Sequence, residues 1–284
     1  MILLTSAYGN VGQRMARVLV QKRLDVKAFD INPKTESLLD KGVKEVYVGD
    51  ISNPEDVRKA LQGCDQVLYI PTFLSEDEDT IGKQFIDIAV EQGVKQYVLV
   101  TVTHTNMSTL MQHSAKARIE EHLVYKGLTD GLNYTILQPM HYYHNFNVKQ
   151  VMESDIFTVF YDLNRKLSFV DCEDVAEVAA KVLSEEDHNA ATYELVGDEF
   201  LSSYDLVNQF NHKYGRNAKA LQISVEDLIK GTGISDPYTI KAIRALSDTY
   251  SNYGLTGNSH VLTWLLGRKP TTFEEYLKRE TERM

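Results

Sequence analysis

Met1-Ile-Leu-Leu-Thr5-Ser-Ala-Tyr-Gly9-Asn-Val-Gly12-Gln-Arg-Met-Ala16 is the stretch whose reading decides the fold. A short apolar run enters a turn with two glycines, and a helical pattern follows. A strand–turn–helix of this kind presents backbone N–H groups and the positive end of a helix dipole to a phosphate. Gly9 lets the backbone approach that phosphate, and Gly12 lets the helix pack closely on the sheet. Ser6 stands where the first glycine of such a turn is usual. The residues of the turn expected to face a dinucleotide are Ser6, Tyr8, Gly9, Asn10, Val11 and Gly12.

Working outward, strand and helix patterns alternate. Strands are expected at 2–4, 26–29, 46–48, 67–70, 97–100 and 134–137. Helices are expected at 10–21, 35–41, 54–62, 80–92 and 114–125. Gly42, Gly93 and Gly127 read as helix stops, and Asn53-Pro54 reads as a cap followed by a first helical residue. Apolar strands with interleaved helices imply an α/β, Rossmann-type, doubly wound parallel sheet. The second half is less regular. It suggests strands at 157–161 and 167–170 around a turn, a helix at 175–183, a strand at 192–196, a helix at 204–214 and a short strand at 221–223. Mostly helical sequence follows, and Thr272-Phe-Glu-Glu275 is a capping box for a last helix. The expected organisation is a dinucleotide-binding domain over 1–150 and a smaller α+β substrate-side lobe over 151–284, integrated with it. No linker composition separates the two.

The formal net charge is −10 and no basic cluster occurs, which argues against direct nucleic-acid binding. Cys64 and Cys172 are isolated thiols, as in a reducing compartment. No secretory pattern opens the chain, and no apolar run approaches a membrane span. A cytoplasmic protein with no membrane partner is expected. The sequence leaves the oligomeric state open.

Candidate chemistry gathers at strand ends, where ligands sit in an open α/β sheet. Asp30 ends the second strand, where a carboxylate can accept the ribose hydroxyls of an adenosine and repel a 2′-phosphate. Ile31-Asn32-Pro33-Lys34 offers no arginine for that phosphate, so NAD(H) is favoured over NADP(H). Asp50, followed by Ile51, is placed to reach an adenine amino group or to form an Asx turn. Pro71, Thr72 and Thr101 lie at the same edge. Lys116, early in the helix after the fifth strand, could bind a nicotinamide ribose or polarise a carbonyl. It could also simply pair with Glu120. His113 is a candidate proton source. Met140, Tyr142, Tyr143, Asn145 and Phe146 follow the sixth strand and suit a pocket for a flat or apolar ligand. His141 and His144 have no third metal ligand at a recognised spacing, and no metal site is expected.

Taken together, several segments resemble the NmrA-like group of atypical short-chain dehydrogenases. They include Thr5 to Gly12, Val48-Gly-Asp50, Lys116 with Glu120, Tyr134 to Pro139 with Asn145, Phe169-Val-Asp171 with Asp174-Val-Ala176, Thr192-Tyr-Glu-Leu195 and Gly267-Arg-Lys-Pro270. The resemblance covers nearly the whole chain. It implies NAD(P) binding and three kinds of activity: quinone reduction, isoflavone-reductase-like chemistry, or non-catalytic redox sensing that regulates a protein partner. Asp30 and Ile31 stand where many members carry an arginine for the NADP phosphate. Gln112 occupies the position of the proton-donating tyrosine of conventional short-chain dehydrogenases, and an amide is no general acid. A quinone or other conjugated carbonyl needs little acid catalysis, so a reductase of that type is the leading expectation. A dinucleotide sensor is the alternative, and a sugar-nucleotide epimerase ranks below both for want of the tyrosine.

Overall fold

The computed structural model describes residues 1–71 and 74–284. In chain order the first elements are β1 (Ile2–Thr5), α1 (Asn10–Gln21), β2 (Val26–Asp30), β3 (Glu45–Val48), α2 (Pro54–Leu61), β4 (Gln66–Tyr69), α3 (Glu78–Glu91), β5 (Gln96–Val100), α4 (Met111–Asp130) and β6 (Asn133–Pro139). A 3-10 helix, Pro33–Lys41, joins β2 to β3. There follow β7 (His141–Tyr142), α5 (Val148–Ser154), β8 (Ile156–Val159), β9 (Leu167–Val170), α6 (Cys172–Ser184) and β10 (Ala191–Leu195). The last are β11 (Phe200–Leu201), α7 (Ser203–Tyr214), β12 (Lys219–Gln222), α8 (Val225–Thr232), α9 (Pro237–Tyr253), α10 (His260–Leu266) and α11 (Phe273–Glu282).

The chain divides into two compact units, one of residues 1–108, 112–138 and 175–193, the other of 109–111, 139–174 and 194–284. The main sheet has the strand order β10-β6-β5-β4-β1-β2-β3, and every pairing among β1 to β6 is parallel. The order reverses between β1 and β4. That reversal opens a crevice at the carboxyl ends of the strands and places the Ser6–Gly12 turn beside it. Leu3, Val67, Tyr69, Tyr97 and Leu99 point into one core with Phe85, Ile86, Ile119 and Leu123 from α3 and α4. Each such apolar side chain contributes about 2 kcal/mol by leaving water. The two edge strands, β3 and β10, are less buried, with exposed residues at both ends of β3 and at Thr192 of β10.

Local signals hold where they are chemically specific. The Asn53 side chain accepts from the Glu55 N–H at 3.0 Å with Pro54 behind it, as the cap reading requires. Gly42 and Gly93 both adopt positive φ after their helices. Gly127 does not stop a helix. α4 runs on to Asp130 and turns at Gly131, φ +71, because Gly127 is where the helix passes against the Tyr134 ring.

In the second unit the pair expected around 162–164 does not form. β8 pairs in parallel with β12, whereas β9 pairs with β7 and β11. The stretch between β8 and β9 is therefore a connection between two sheets. The Thr272–Glu275 capping box is present, with Glu275 Oε2 accepting from the Thr272 N–H at 2.8 Å. Two buried carboxylates hold this end of the chain: Asp171 pairs with Arg279 at 2.7 Å and Asp174 with Arg268 at 2.8 Å.

Candidate functional site

The glycine turn is tied to Ile70 after β4 and closed by its own backbone. Thr5, buried at the end of β1, donates its hydroxyl to the Ile70 carbonyl at 3.1 Å and accepts from the Ile70 N–H at 2.8 Å. Ser6 adds a hydroxyl bond to the same carbonyl at 3.0 Å. Its φ is +49, which explains why glycine is usual at that position. Gly9 then donates its N–H to Ser6 O at 3.1 Å and stands as the residue before α1. A Cβ on Gly12 would strike the Ser6 carbonyl oxygen and come within 2.8 Å of the Ala7 Cα, so only glycine lets α1 close on the turn. Among the described residues no side chain caps α1, and no acid lies in its first turn. The amides of Asn10, Val11 and Gly12 thus begin the helix with its dipole uncompensated. A pyrophosphate fits such an end: backbone donors, no anion to repel it, and an approach that side chains would obstruct.

Asp30 is tied to this turn. Its Oδ2 accepts from the Tyr8 N–H at 2.9 Å and its Oδ1 from the Asn32 N–H at 2.9 Å. A carboxylate has about four acceptor positions, so about two remain for ribose hydroxyls. Sequence reading placed Asp30 at the edge without this second duty. Ile31, which stands with Asp30 where an arginine would hold a 2′-phosphate, has a 67% exposed side chain beside it.

Asp50 adopts the Asx turn. Its Oδ1 accepts from the Ser52 N–H at 2.8 Å and the Ser52 hydroxyl at 2.7 Å. Ile51 and Pro71 are half-buried. Thr72 lies outside the described residues.

After β5 the structure corrects one pairing. Glu120 does not hold Lys116. Its carboxylate accepts from Thr101 at 2.5 Å, Thr105 at 3.0 Å and the Gln138 amide at 2.9 Å, which fastens the loop after β5 to the end of β6. Lys116 instead meets Glu78, on α3, at 2.5 Å. Glu78 is fully buried, and burial pushes its carboxyl above the usual range against the lowering pull of Lys116. Sequence reading missed Glu78 because its partner is remote along the chain. The acidic run Asp77-Glu78-Asp79 before a helix was the only trace.

His113 is buried, with Nδ1 at 3.1 Å from the His104 carbonyl oxygen, and burial pushes its imidazole down to about 4. It therefore stands neutral near pH 7 and is no ready proton donor. Gln112, beside it, is buried as well.

The candidate substrate residues belong to the second unit. Three of them are buried against neighbouring side chains. Tyr143 stacks on Phe169 at 5.5 Å and donates its hydroxyl to Glu199 at 2.6 Å. Phe146 packs on Phe157 at 4.7 Å and Phe273 at 5.2 Å, and Met140 is 2% exposed. Aromatic composition alone could not separate a core from a pocket. Tyr142 is half-buried and stacks on His144 at 4.8 Å, and Asn145 is exposed, its amide 3.0 Å from His141 Nε2. Burial pushes His141 down to about 4.

Strand order, switch-point turn and open helix end define a Rossmann-type α/β protein. The chain belongs to the NmrA-like family, whose profile matches residues 1–277. It is 25% identical to an NAD(P)H azoreductase from Xenophilus azovorans over 98% of this chain and 97% of that protein. It is 27% identical to quinone oxidoreductase 2 of Escherichia coli strain K12, over 97% and 96%. The crystal structure of the Escherichia coli NADPH-dependent quinone oxidoreductase QOR2 complexed with NADPH superimposes with a TM-score of 0.79 at 25% identity, covering 99% of this chain and 100% of that one. A triphenylmethane reductase from Citrobacter sp., complexed with NADP(H), shares the fold with a TM-score of 0.79 at 23% identity, over 98% and 99%.

Proposed function

We propose that this protein is an NAD(P)H-dependent oxidoreductase of the NmrA-like type and that its acceptor is a quinone or another conjugated carbonyl. The observation that carries the reading is the α1 end: a helix N-terminus that no described side chain caps, free of acids in its first turn, behind a turn that only glycine at 12 permits. The azoreductase and quinone oxidoreductase relatives support the same chemistry.

In this reading Gly9, Asn10, Val11 and Gly12 hold the pyrophosphate, and Asp30 receives the adenosine ribose. Bound there, NAD(P)H supplies a hydride. Lys116 carries about three N–H donors, of which Glu78 takes one among the described residues, leaving donors for a nicotinamide ribose or a reduced oxygen. Gln112 in place of a tyrosine fits acceptors whose reduced oxygen needs little acid assistance, with water or Lys116 returning the proton. We further propose that Asp30 biases the site toward NADH, because a second anion beside a ribose 2′-phosphate is repulsive. The relatives with NADPH and NADP(H) bound make this a property of the present chain to be measured.

The test is turnover: purified protein is mixed with NADH or NADPH and a panel of quinones, enones and azo dyes, and loss of the reduced-nicotinamide absorbance is followed. Oxidation that needs both protein and acceptor is the expected result. Saturable binding with no oxidation by any acceptor would overturn the reductase and leave a dinucleotide-binding sensor.

A further inference from the structure

We propose that Glu78 is a positioning residue, whose buried carboxylate fixes the Lys116 ammonium at the dinucleotide edge of the first unit and does so at a cost in stability. The inference rests on the reading of that edge given above and adds a residue that the sequence did not single out.

The geometry is unusual for a helix–helix contact. Glu78 is 0% exposed, while the Lys116 side chain retains 14% exposure. One carboxylate oxygen meets Lys116 at 2.5 Å. The other, Oε2, is buried and has no hydrogen-bond partner among the described residues. The hydroxyls of Tyr69 and Tyr97 are equally buried and equally unpartnered among them. Their rings lie 5.9 Å apart, with Phe85 at 4.8 Å from Tyr69. A carboxylate close enough to act on the Tyr69 phenol has thus been buried with one of its two oxygens idle among the described residues. Removing such a group from water is costly, and a well-packed apolar residue would serve the fold as well or better.

Nor is the pair needed to join α3 to α4. One helical turn along α3, Gly82 comes so close to Ile119 that a Cβ would stand 2.7 Å from its Cδ1, and Phe85, Ile86, Ile119 and Leu123 share one core. The remaining effect of Glu78 is on Lys116: it turns a flexible ammonium into a fixed donor. Uncompensated cost at a fixed cation is the pattern of a functional site.

The charges facing Glu78 are Lys116 and Arg118 on α4 and its neighbour Asp79 on α3, with the Tyr69 phenol on β4. Asp79 is occupied by Arg118 at 2.7 Å and Lys83 at 3.3 Å. His113, also on α4 and near enough to feel the Lys116 charge, is neutral. Burial raises the Glu78 carboxyl, so it takes up a proton at a higher pH than an exposed glutamate as pH falls. The sign follows: a raised carboxyl favours the folded protein when protonated, so the Glu78 charge weakens the fold as pH rises, while Lys116 is held only above the Glu78 titration.

The test is Glu78→Gln, read by calorimetric titration with NADH and NADPH, by thermal unfolding, and by the Nζ resonance of Lys116 in lysine-labelled protein. The amide keeps the volume and an acceptor oxygen but not the charge. Affinity is expected to fall about tenfold, the loss of one charge-assisted hydrogen bond, while the midpoint of unfolding holds or rises. The Lys116 resonance moves, and the fall in wild-type affinity at acid pH disappears from the variant. Glu78→Asp recovers part of the affinity. Unchanged affinity in Glu78→Gln overturns the proposal, as does an affinity loss that merely tracks a lowered unfolding midpoint. A wild type that binds neither dinucleotide overturns the reading of the edge instead. The pair is then judged by the Lys116 resonance, whose indifference to the substitution refutes positioning.

Discussion

Two helices of the first unit begin in opposite ways. α2 opens with Asn53 capping it, Pro54 at its first position, and Glu55 and Asp56 in its first turn. Its backbone donors and its dipole are both answered from within the chain. α1 opens with Gly9, with no side-chain cap among the described residues and no acid in its first turn. The same polypeptide that closes one helix end with every available device leaves the other bare. The difference separates stability from function: donors satisfied internally hold the fold together, and donors left open at a sheet switch point are available to an anion.

The strongest way to break the comparison is Gly12→Ala. The new methyl meets backbone, not a yielding side chain, and should cost about 3 kcal/mol of stability while weakening dinucleotide binding about a hundredfold, both read on the same protein by thermal unfolding and calorimetry. Near-normal affinity would show that the closeness of α1 to the turn is unimportant. A gentler break is Asn10→Asp, which gives α1 the first-turn acid that α2 already has. The helix should gain about 0.5 kcal/mol, and NADH and NADPH affinity should fall about tenfold through repulsion of the pyrophosphate. Opposite signs for stability and binding are the essential outcome.

Asp30→Ala sharpens the same contrast at the ribose. It should raise NADPH affinity relative to NADH by about tenfold, with some loss of turn order because the Tyr8 and Asn32 amides lose their acceptor. An unchanged ratio would mean that Asp30 serves the turn alone. The smallest effect belongs to α2. Asn53→Ala should cost about 1 kcal/mol in denaturant unfolding and leave dinucleotide affinity where it was. A loss of affinity there would erase the distinction between the two helix ends.

Legibility in the sequence followed the range of each interaction. The Asn53 cap and the Thr272–Glu275 box were readable because each is fixed by residues a few positions apart, and β1 with its glycine turn was readable because the apolar run and the glycine spacing are local even though Ile70 and Asp30 hold the turn from a distance. Ser6 was recognised as a departure, and its φ of +49 gives the conformational reason. Gly127 misled because a helical glycine can serve packing as well as termination, and the Tyr134 ring lies in another element. The segments 157–161 and 167–170 misled because alternation identifies strands but not partners. Lys116 was found and its partner was not. Helix spacing proposed Glu120, while the tertiary fold gave Glu120 to Thr101, Thr105 and Gln138 and brought Glu78 from α3. Tyr143 and Phe146 carry the residue types of a ligand pocket, yet only packing decides whether an aromatic ring faces a ligand or another ring.

The most direct test of the open helix end is calorimetric titration of the wild-type protein with NADH and NADPH, run beside Gly12→Ala and Asn53→Ala. Saturable binding by wild type and Asn53→Ala, lost in Gly12→Ala, is the predicted result. Absence of binding by the wild-type protein, or binding that Gly12→Ala retains, would contradict it.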